Sequence, residues 1–209
     1  MGGGVELPPY RAILVVDVKD FAGRPGREHA ALTGLVPRVL VRALEVCGLG
    51  AEWGRASLSV STGDGWVLGL RSGLLPRLLN PFLPALQEVL SDGVRMRVTI
   101  HIGPLTGGRS ITAGSGMARV QAHRLLDAGP VRALLERSGP GTKVAAVVSE
   151  RAYVDAVLSG YANDDPGLYV PVPVRVKSFA QTAYLRVPVP TGELLAHGFT
   201  TPGPRRART

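Results

Sequence analysis

The chain has 209 residues, of which 45% are hydrophobic and 19% charged, a composition that excludes a generally disordered protein. The length suits one domain with a substantial core. The formal net charge of +8 permits attraction to a polyanion, although Arg205, Arg206 and Arg208 place part of the excess at the end of the chain. Cys47 is the only cysteine, which excludes an intrachain disulfide and a cysteine-based zinc site.

Two further classes of protein are disfavoured by the apolar pattern. No apolar run reaches the length that spans a bilayer. The segment Met1–Leu7 has neither the basic start nor the apolar stretch of a secretory signal. We therefore expect a cytoplasmic protein without a membrane partner.

The first predicted elements are a strand and a long helix. Tyr10–Val18 is a continuous apolar, β-branched run and predicts a buried strand. After a loop rich in glycine, proline and arginine, Glu28–Cys47 carries an apolar stripe at helical spacing. Pro37 within this stripe predicts a kink or a break, and Gly48 ends the helix.

A hairpin, a helix and a strand come next. Ser57–Ser61 and Trp66–Leu70 predict two short strands joined by the tight turn Thr62–Gly65. Leu74–Leu90 predicts a helix interrupted by prolines. Val94–Ile102 alternates with a period of two, which predicts a strand with one buried face.

The remaining elements alternate between helix and strand. Gly114–Arg137 predicts a largely helical segment that breaks at Gly129–Pro130. The rest of the domain is predicted as a strand, a short helix and two final strands, namely Lys143–Ser149, Glu150–Leu158, Tyr169–Lys177 and Thr182–Val187.

This order of elements predicts an α/β sandwich in which helices cover a mixed sheet. We place the domain at residues 10–188. An N-terminal extension, residues 1–9, precedes it, and a Pro/Gly/Arg-rich tail, residues 189–209, follows it. We expect the tail to be flexible.

Two aspartates occupy positions suited to a divalent cation. Asp17 comes at the end of the first strand, and Asp64 lies in the hairpin turn. Mg²⁺ prefers one or two carboxylates and takes its other ligands from phosphates and water. The pair therefore favours nucleotide chemistry.

Four motifs together resemble the class III nucleotidyl cyclase catalytic domain, the family of adenylyl and guanylyl cyclases. Val16–Phe21 is similar to the first metal motif, a strand that ends in Asp-x-x-x-Phe, and Gly63–Gly65 to the second metal aspartate in its hairpin. Arg97–Pro104 resembles the strand that ends in His-x-Gly-Pro, and Ala122–Leu125 the helix that carries a transition-state arginine. The likeness spans roughly residues 10 to 187 and implies the mixed-sheet fold of this family, which is related to the ferredoxin-like fold.

The resemblance implies a reaction and a set of site residues. Asp17 and Asp64 would hold two divalent metal ions, Mg²⁺ or Mn²⁺, against a nucleoside triphosphate, which would be converted to a 3′,5′-cyclic monophosphate and pyrophosphate. Arg124 would supply positive charge to the phosphate in the transition state. Val18, Phe21 and Gly63 would contact the substrate.

Two further expectations concern the surroundings of that site. The backbone that follows Asp17 could donate N–H groups to phosphates. The resemblance also implies a homodimer with the site at the interface between the two protomers.

Three positions depart from the family pattern. Val120 replaces an asparagine four residues before the arginine, and Val60 replaces a base-reading lysine or glutamate. Asp20 replaces a small residue and adds negative charge near the triphosphate. Because valine cannot hydrogen-bond a base or a ribose, purine recognition of the usual kind is in doubt.

These departures leave two readings open. The enzyme could act on another base, such as the pyrimidines that divergent bacterial cyclases of antiphage defence cyclise. Alternatively, the chain could be a catalytically degenerate module that binds a nucleotide or docks an effector protein. A nucleic-acid partner is not expected, because no interleaving of basic and aromatic residues is present.

Other candidates have plain structural explanations. His101 is expected to be a structural histidine with satisfied hydrogen bonds, and Trp66 a core residue. Arg124 could pair with Asp127 or Glu136 instead of acting on a phosphate.

Overall fold

A seven-stranded mixed sheet organises the structure, a computed structural model in which residues 6–108 and 112–200 are described. The strands lie in the spatial order β2-β3-β1-β4-β5-β7-β6. Strands β4 and β5 run parallel, and the other neighbours are antiparallel. The strands are β1 Tyr10–Val18, β2 Leu58–Ser61, β3 Gly65–Arg71, β4 Met96–Pro104, β5 Val144–Ser149, β6 Val170–Val176 and β7 Phe179–Arg186.

Helices cover both faces of this sheet. They are α1 Gly26–Val46, α2 Ala51–Arg55, α3 Leu75–Arg77, α4 Leu83–Val89, α5 Met117–Leu126, α6 Gly129–Arg137, α7 Glu150–Tyr153 and α8 Glu193–His197. Side chains of α1, α4 and α7 share one core with the even-numbered residues of β1, whereas α5 packs on the opposite face. The mixed-sheet α/β sandwich predicted from the sequence is confirmed. No helix in the described part of the chain combines the length and the apolarity needed to cross a membrane.

Burial on both faces explains the apolar run in β1. Ala12, Leu14 and Val16 face α1 and α4, whereas Ile13 and Val15 face α5. A strand in the middle of a sheet that is covered on both sides has no solvent-facing positions, so its sequence does not alternate.

Strand β4 is likewise covered on both faces, so the expectation of a single buried face was wrong. Thr99 is fully buried and His101 is 6% exposed, although both belong to the polar half of the alternating pattern. The reason is that α5 packs over this side of β4. The polar side chains of β4 therefore lie beneath a helix rather than in water.

Helix α1 continues through Pro37, so the predicted break does not occur. Proline removes one backbone hydrogen bond of a helix and costs about 3 kcal/mol in its interior. Buried apolar side chains on both sides of it, at Leu32, Val36, Val39 and Leu40, stabilise the helix across this position. Near the predicted break at Gly129–Pro130, α5 ends at Leu126 and the proline lies in the first turn of α6.

The segment that follows residue 188 makes specific contacts with the domain. Leu194 in α8 is 3% exposed and joins the core beneath α6. The Thr142 hydroxyl donates to the Val189 carbonyl at 2.7 Å, and the Thr191 hydroxyl donates to the Gly139 carbonyl at 3.1 Å. Residues 201–209 of the predicted tail and residues 1–5 of the predicted extension lie outside the described residues.

Candidate active site

Asp17 lies near the C-terminal end of β1, an interior strand of the sheet, opposite Gly65 on β3 and Arg97 on β4. It is 7% exposed. Gly65 allows this close pairing, because a Cβ at that position would lie 1.9 Å from the carbonyl oxygen of Val16. The glycine of the hairpin motif therefore brings β3 against the end of β1.

Asp64 is held beside Asp17 by the backbone of the turn. The Val18 N–H donates to the Asp64 carbonyl at 2.9 Å. Gly63 adopts φ +94°, a conformation that glycine accepts without strain, and its carbonyl accepts a hydrogen bond from the Thr33 hydroxyl at 2.9 Å. The two carboxylates are near enough that the charge of Asp64 contributes to raising the pKa of Asp17.

Arg97 forms a two-pronged ion pair with Asp17 that the sequence analysis did not anticipate. The Arg97 Nε donates to Asp17 Oδ1 at 2.8 Å, and Nη2 donates to Oδ2. The side chains are 15% and 9% exposed. Burial raises the pKa of Asp17, and the hydrogen bonds and charge of Arg97 oppose that rise. The sequence contained only one indication of this pair, which is that Arg97 belongs to the polar half of the alternating pattern of β4.

Arg97 also borders a small cavity of about 240 Å³, named the basic cavity after its three cationic side chains, Lys19, Arg97 and Arg132, each of which is paired with a carboxylate. Its lining includes Lys19 and Arg132 together with the carboxylates of Asp20 and Glu136. Lys19 forms an ion pair with Asp20, which is exposed and adopts the left-handed conformation at φ 57°. Guanidinium and ammonium groups around a cavity of this size are suited to phosphate oxygens.

The predicted substrate contacts at the end of β1 are partly engaged within the protein. The N–H of Val18 bonds to Asp64, and the N–H of Lys19 donates to the Arg95 carbonyl at 2.8 Å. The N–H groups of Val18 and Lys19 are therefore used within the protein. Phe21 follows in a short 3₁₀ turn and stacks on His29 with ring centroids 4.4 Å apart.

Arg124 does not meet the aspartates within one chain. Its guanidinium lies over the ring of Phe179, 6.0 Å from the centroid. Phe179 belongs to β7, three strands from β1 in the sheet, which is about 14 Å at the usual strand spacing. Asp127, one of the proposed structural partners of Arg124, pairs instead with Arg132 at 2.8 Å.

His123 is a further residue near the acidic pair, and no motif in the sequence predicted it. Burial lowers its pKa first and the charge of Arg119 lowers it further, whereas Asp127 and Asp64 act in the opposite direction. The C-terminal turn of α5 thus carries an imidazole and a carboxylate that both interact with the charges at the end of β1.

The carboxylate pair has the oxygen chemistry that Mg²⁺ or Mn²⁺ requires. Both oxygens of Asp17, however, accept hydrogen bonds from Arg97. Among the described residues, no group of three or more histidine, cysteine or acidic side chains is arranged to hold a metal ion. The oxygen donors of Asp17 and Asp64 therefore suit a divalent cation that takes its other ligands from phosphates and water.

A second, larger cavity of about 650 Å³ lies beside the edge strand β2. Val60 and Arg119 line it, together with Trp53 and Ser59. Val60 is 37% exposed and Val120 is 41% exposed, so both departures from the family pattern present apolar surface to solvent. Trp66 packs against the core and donates from Nε1 to the Ser59 hydroxyl at 3.0 Å.

No protein-family model matches the chain, and no curated protein matches it in sequence. Several solved structures match it in three dimensions. The monomeric guanylyl cyclase domain of the RhoGC fusion protein from the aquatic fungus Blastocladiella emersonii superposes with a TM-score of 0.55 and 15% identity, over 87% of this chain and 97% of that domain.

Two other cyclases give similar values. The guanylyl cyclase Cya2 has a TM-score of 0.56 at 15% identity, over 92% of this chain and 96% of that one. A bacterial light-regulated adenylyl cyclase has a TM-score of 0.56 at 12% identity, over 89% of this chain and 53% of that one. The chain therefore has the fold of the adenylyl and guanylyl cyclase catalytic domain, which confirms the fold that the motifs predicted.

Proposed function

We propose that the chain is a metal-dependent nucleotidyl cyclase, which converts a nucleoside triphosphate to a 3′,5′-cyclic monophosphate and pyrophosphate. The observation that carries the proposal is the pairing of Asp17 and Asp64 at one end of β1, directly beside the basic cavity of Lys19, Arg97 and Arg132. The fold of known cyclases supports it independently.

The reaction needs charge neutralisation and alignment more than covalent chemistry. The 3′-oxygen of the ribose attacks the α-phosphorus, the bond from that phosphorus to the bridging oxygen of the β-phosphate breaks, and pyrophosphate leaves with the bonding electrons. The 3′-hydroxyl proton passes to solvent. Two divalent cations, when bound, lower the pKa of the 3′-hydroxyl and neutralise the triphosphate.

The side chains of the protein would bind the cations and the phosphates. Asp17 and Asp64 would hold the cations. Lys19, Arg97 and Arg132 would hold the β- and γ-phosphates, because their positive groups border one cavity. Phe21 and Gly63 shape the backbone on either side, and Val18 ties the Asp64 turn to β1.

Arg124 would act on the partner's substrate rather than on that of its own chain. Within one chain its guanidinium lies over Phe179 on the third strand from β1. A homodimer with the site at the interface would bring Arg124 of one protomer to Asp17 and Asp64 of the other. The apolar side chains of Met117 and Val120, both exposed on α5, provide surface for such contact.

The base that would be recognised is proposed to be other than a purine read in the usual way. Val60 and Val120 offer no hydrogen bond, so discrimination has to come from shape and from other polar groups. A pyrimidine, as in bacterial antiphage signalling, is compatible with this lining, and we propose a cytoplasmic setting for the reaction.

A degenerate module that binds a nucleotide or docks an effector is the second candidate. The ion pair between Arg97 and Asp17 favours it, because the guanidinium engages both oxygens of the first metal-motif aspartate. The exposed Asp20 beside the cavity favours it as well, since it adds a negative charge where phosphates would bind.

Product analysis tests the proposal directly. The purified protein is incubated with Mn²⁺ and each of the four ribonucleoside triphosphates, and products are identified by mass spectrometry. A cyclic monophosphate is expected from at least one of them. Its formation should fall at least about a hundredfold in Asp17→Asn and in Asp64→Asn.

The matched control is Asp92→Asn, an exposed carboxylate paired with Lys143 at 2.8 Å, and it should leave the rate unchanged. Absence of product from all four triphosphates, at protein concentrations high enough for dimers, would support the degenerate module instead.

A further inference from the structure

Arg97 forms hydrogen bonds with both oxygens of Asp17, the carboxylate that would bind a metal ion. Its guanidinium faces both oxygens of Asp17 in a nearly dry environment, where the two side chains are 15% and 9% exposed. A divalent cation placed on the same oxygens would stand within a few ångströms of this positive charge, and in such surroundings the repulsion is poorly screened. The metal and Arg97 are therefore competitors for Asp17.

The same arginine borders the basic cavity, so it has a second place to bind. Lys19 and Arg132 lie around that cavity with Arg97. A triphosphate bound there offers the guanidinium several anionic oxygens in exchange for the two of Asp17. An arginine that pairs with a carboxylate and also borders a cavity with two further cations can exchange that carboxylate for a polyanion that binds in the cavity.

We propose that Arg97 is a latch that closes Asp17 to divalent cations until a triphosphate draws the guanidinium into the cavity. The inference rests on the proposed function for the identity of the polyanion. It follows that metal and triphosphate bind cooperatively, each raising the affinity for the other by the same factor. Without a triphosphate, a divalent cation would not bind Asp17.

The test measures binding of Mn²⁺ alone, from the loss of the free Mn²⁺ signal in electron paramagnetic resonance. Arg97→Gln removes the latch and should bind Mn²⁺ at least about tenfold more tightly than the wild type. Adding Asp17→Asn to Arg97→Gln should abolish the gain, which assigns the new site to Asp17. Arg97→Lys keeps a positive charge but cannot make the two-pronged contact, so its Mn²⁺ affinity should lie between those of the wild type and Arg97→Gln.

The matched control is Arg71→Gln. Arg71 also makes a two-pronged pair with a buried carboxylate, Glu52, at 3.3 and 2.9 Å, but at the other end of β3. This variant removes a two-pronged ion pair far from Asp64, made by an arginine that is 62% exposed, so its Mn²⁺ affinity should match that of the wild type. Equal Mn²⁺ affinity in the wild type and in Arg97→Gln would overturn the proposal.

A second measurement uses the wild type and does not depend on how well a variant folds. Thermal unfolding is followed with Mn²⁺, with α,β-methylene ribonucleoside triphosphates, which cannot release pyrophosphate, and with both. The combined rise in melting temperature should exceed the sum of the separate rises, because the two ligands favour the same opened state. A strictly additive rise would contradict the latch.

The two proposals can fail separately. A protein that makes no cyclic product but gains Mn²⁺ affinity in Arg97→Gln keeps the latch and loses the cyclase activity. A protein that makes a cyclic product with no such gain keeps the activity and loses the latch.

Discussion

At the scale of single residues, the charges around Asp17 depend on the side chains that lie on the covered face of β4. Arg97, Thr99 and His101 alternate along β4 and lie on the side of the sheet that α5 and α6 cover. Arg97 pairs with Asp17, the Thr99 hydroxyl has no hydrogen-bond partner among the described residues, and the buried ring of His101 interacts with the side chain of Gln121. Buried polar groups without partners are costly, and a histidine limits the cost by staying neutral.

The first prediction concerns this neutral histidine. Burial, and secondarily the charge of Arg151, lower the pKa of His101 from 6.5 to about 4, while Gln121 opposes the shift. Between these values the unfolded chain binds a proton that the native protein does not, so stability falls as the pH falls from about 6.5 toward about 4. The contribution lost between about pH 7.5 and about pH 5 is about 2 kcal/mol.

Urea unfolding at these two pH values, on the wild type and on His101→Gln, measures that contribution. The variant should show a smaller decrease in the free energy of unfolding than the wild type. Equal decreases in both proteins would mean that His101 is charged in the native state or readily hydrated.

The second prediction concerns Asp20. Its carboxylate lines the basic cavity and is largely exposed, so it opposes a bound triphosphate through solvent-screened repulsion. Asp20→Asn should tighten the binding of a ribonucleoside triphosphate by up to about fivefold at low salt, because exposed charges contribute less than about 1 kcal/mol. Calorimetric titration at low and high salt should show the difference shrinking as salt rises. Weaker binding in Asp20→Asn would show that the carboxylate supports the site instead.

At the scale of elements, the site depends on how closely the β2–β3 hairpin approaches β1. Gly65 lies opposite Asp17, with no space for a side chain, and the Asp64 carbonyl is bonded to the N–H of Val18. The position of the second aspartate is thus fixed by backbone contacts rather than by its own side chain. Any residue larger than glycine at position 65 has to push the hairpin away from the strand.

The third prediction follows from this contact. Gly65→Ala should destabilise the protein by about 3 kcal/mol, because the added Cβ overlaps the Val16 carbonyl. The matched control is Gly54→Ala in α2, where a Cβ meets nothing within 4 Å and alanine is the better helix former. Chemical denaturation measures both variants. A Gly65→Ala protein as stable as the wild type would show that the hairpin can shift without loss.

At the scale of the whole molecule, the sequence predicted what depends on local pattern. The apolar run of β1 and the glycine-flanked turn at Asp64 identified two strands and the aspartates that they carry. The ion pair between Asp17 and Arg97 joins residues 80 positions apart through the register of β1 and β4, which no local pattern encodes. The packing of Leu194 was missed for the same reason, since its core partners belong to distant elements.

One chain does not contain a complete site by this account. Asp17, Asp64 and Arg97 meet at the end of β1, whereas Arg124 lies over Phe179 near the far side of the sheet. In a symmetric dimer the same surfaces supply two equivalent sites, each with its aspartates from one protomer and its arginine from the other. Activity should accordingly depend on protein concentration.

Mixing two inactive variants tests whether the active site is shared between two protomers. Asp17→Asn lacks the metal carboxylate and Arg124→Ala lacks the arginine, so each homodimer should be inactive in the assay for cyclic product. Randomly mixed dimers contain one intact site in each heterodimer, and the mixture should recover about a quarter of the wild-type rate. A mixture as inactive as its components, beside an active wild type, would contradict a site shared between two copies of this chain.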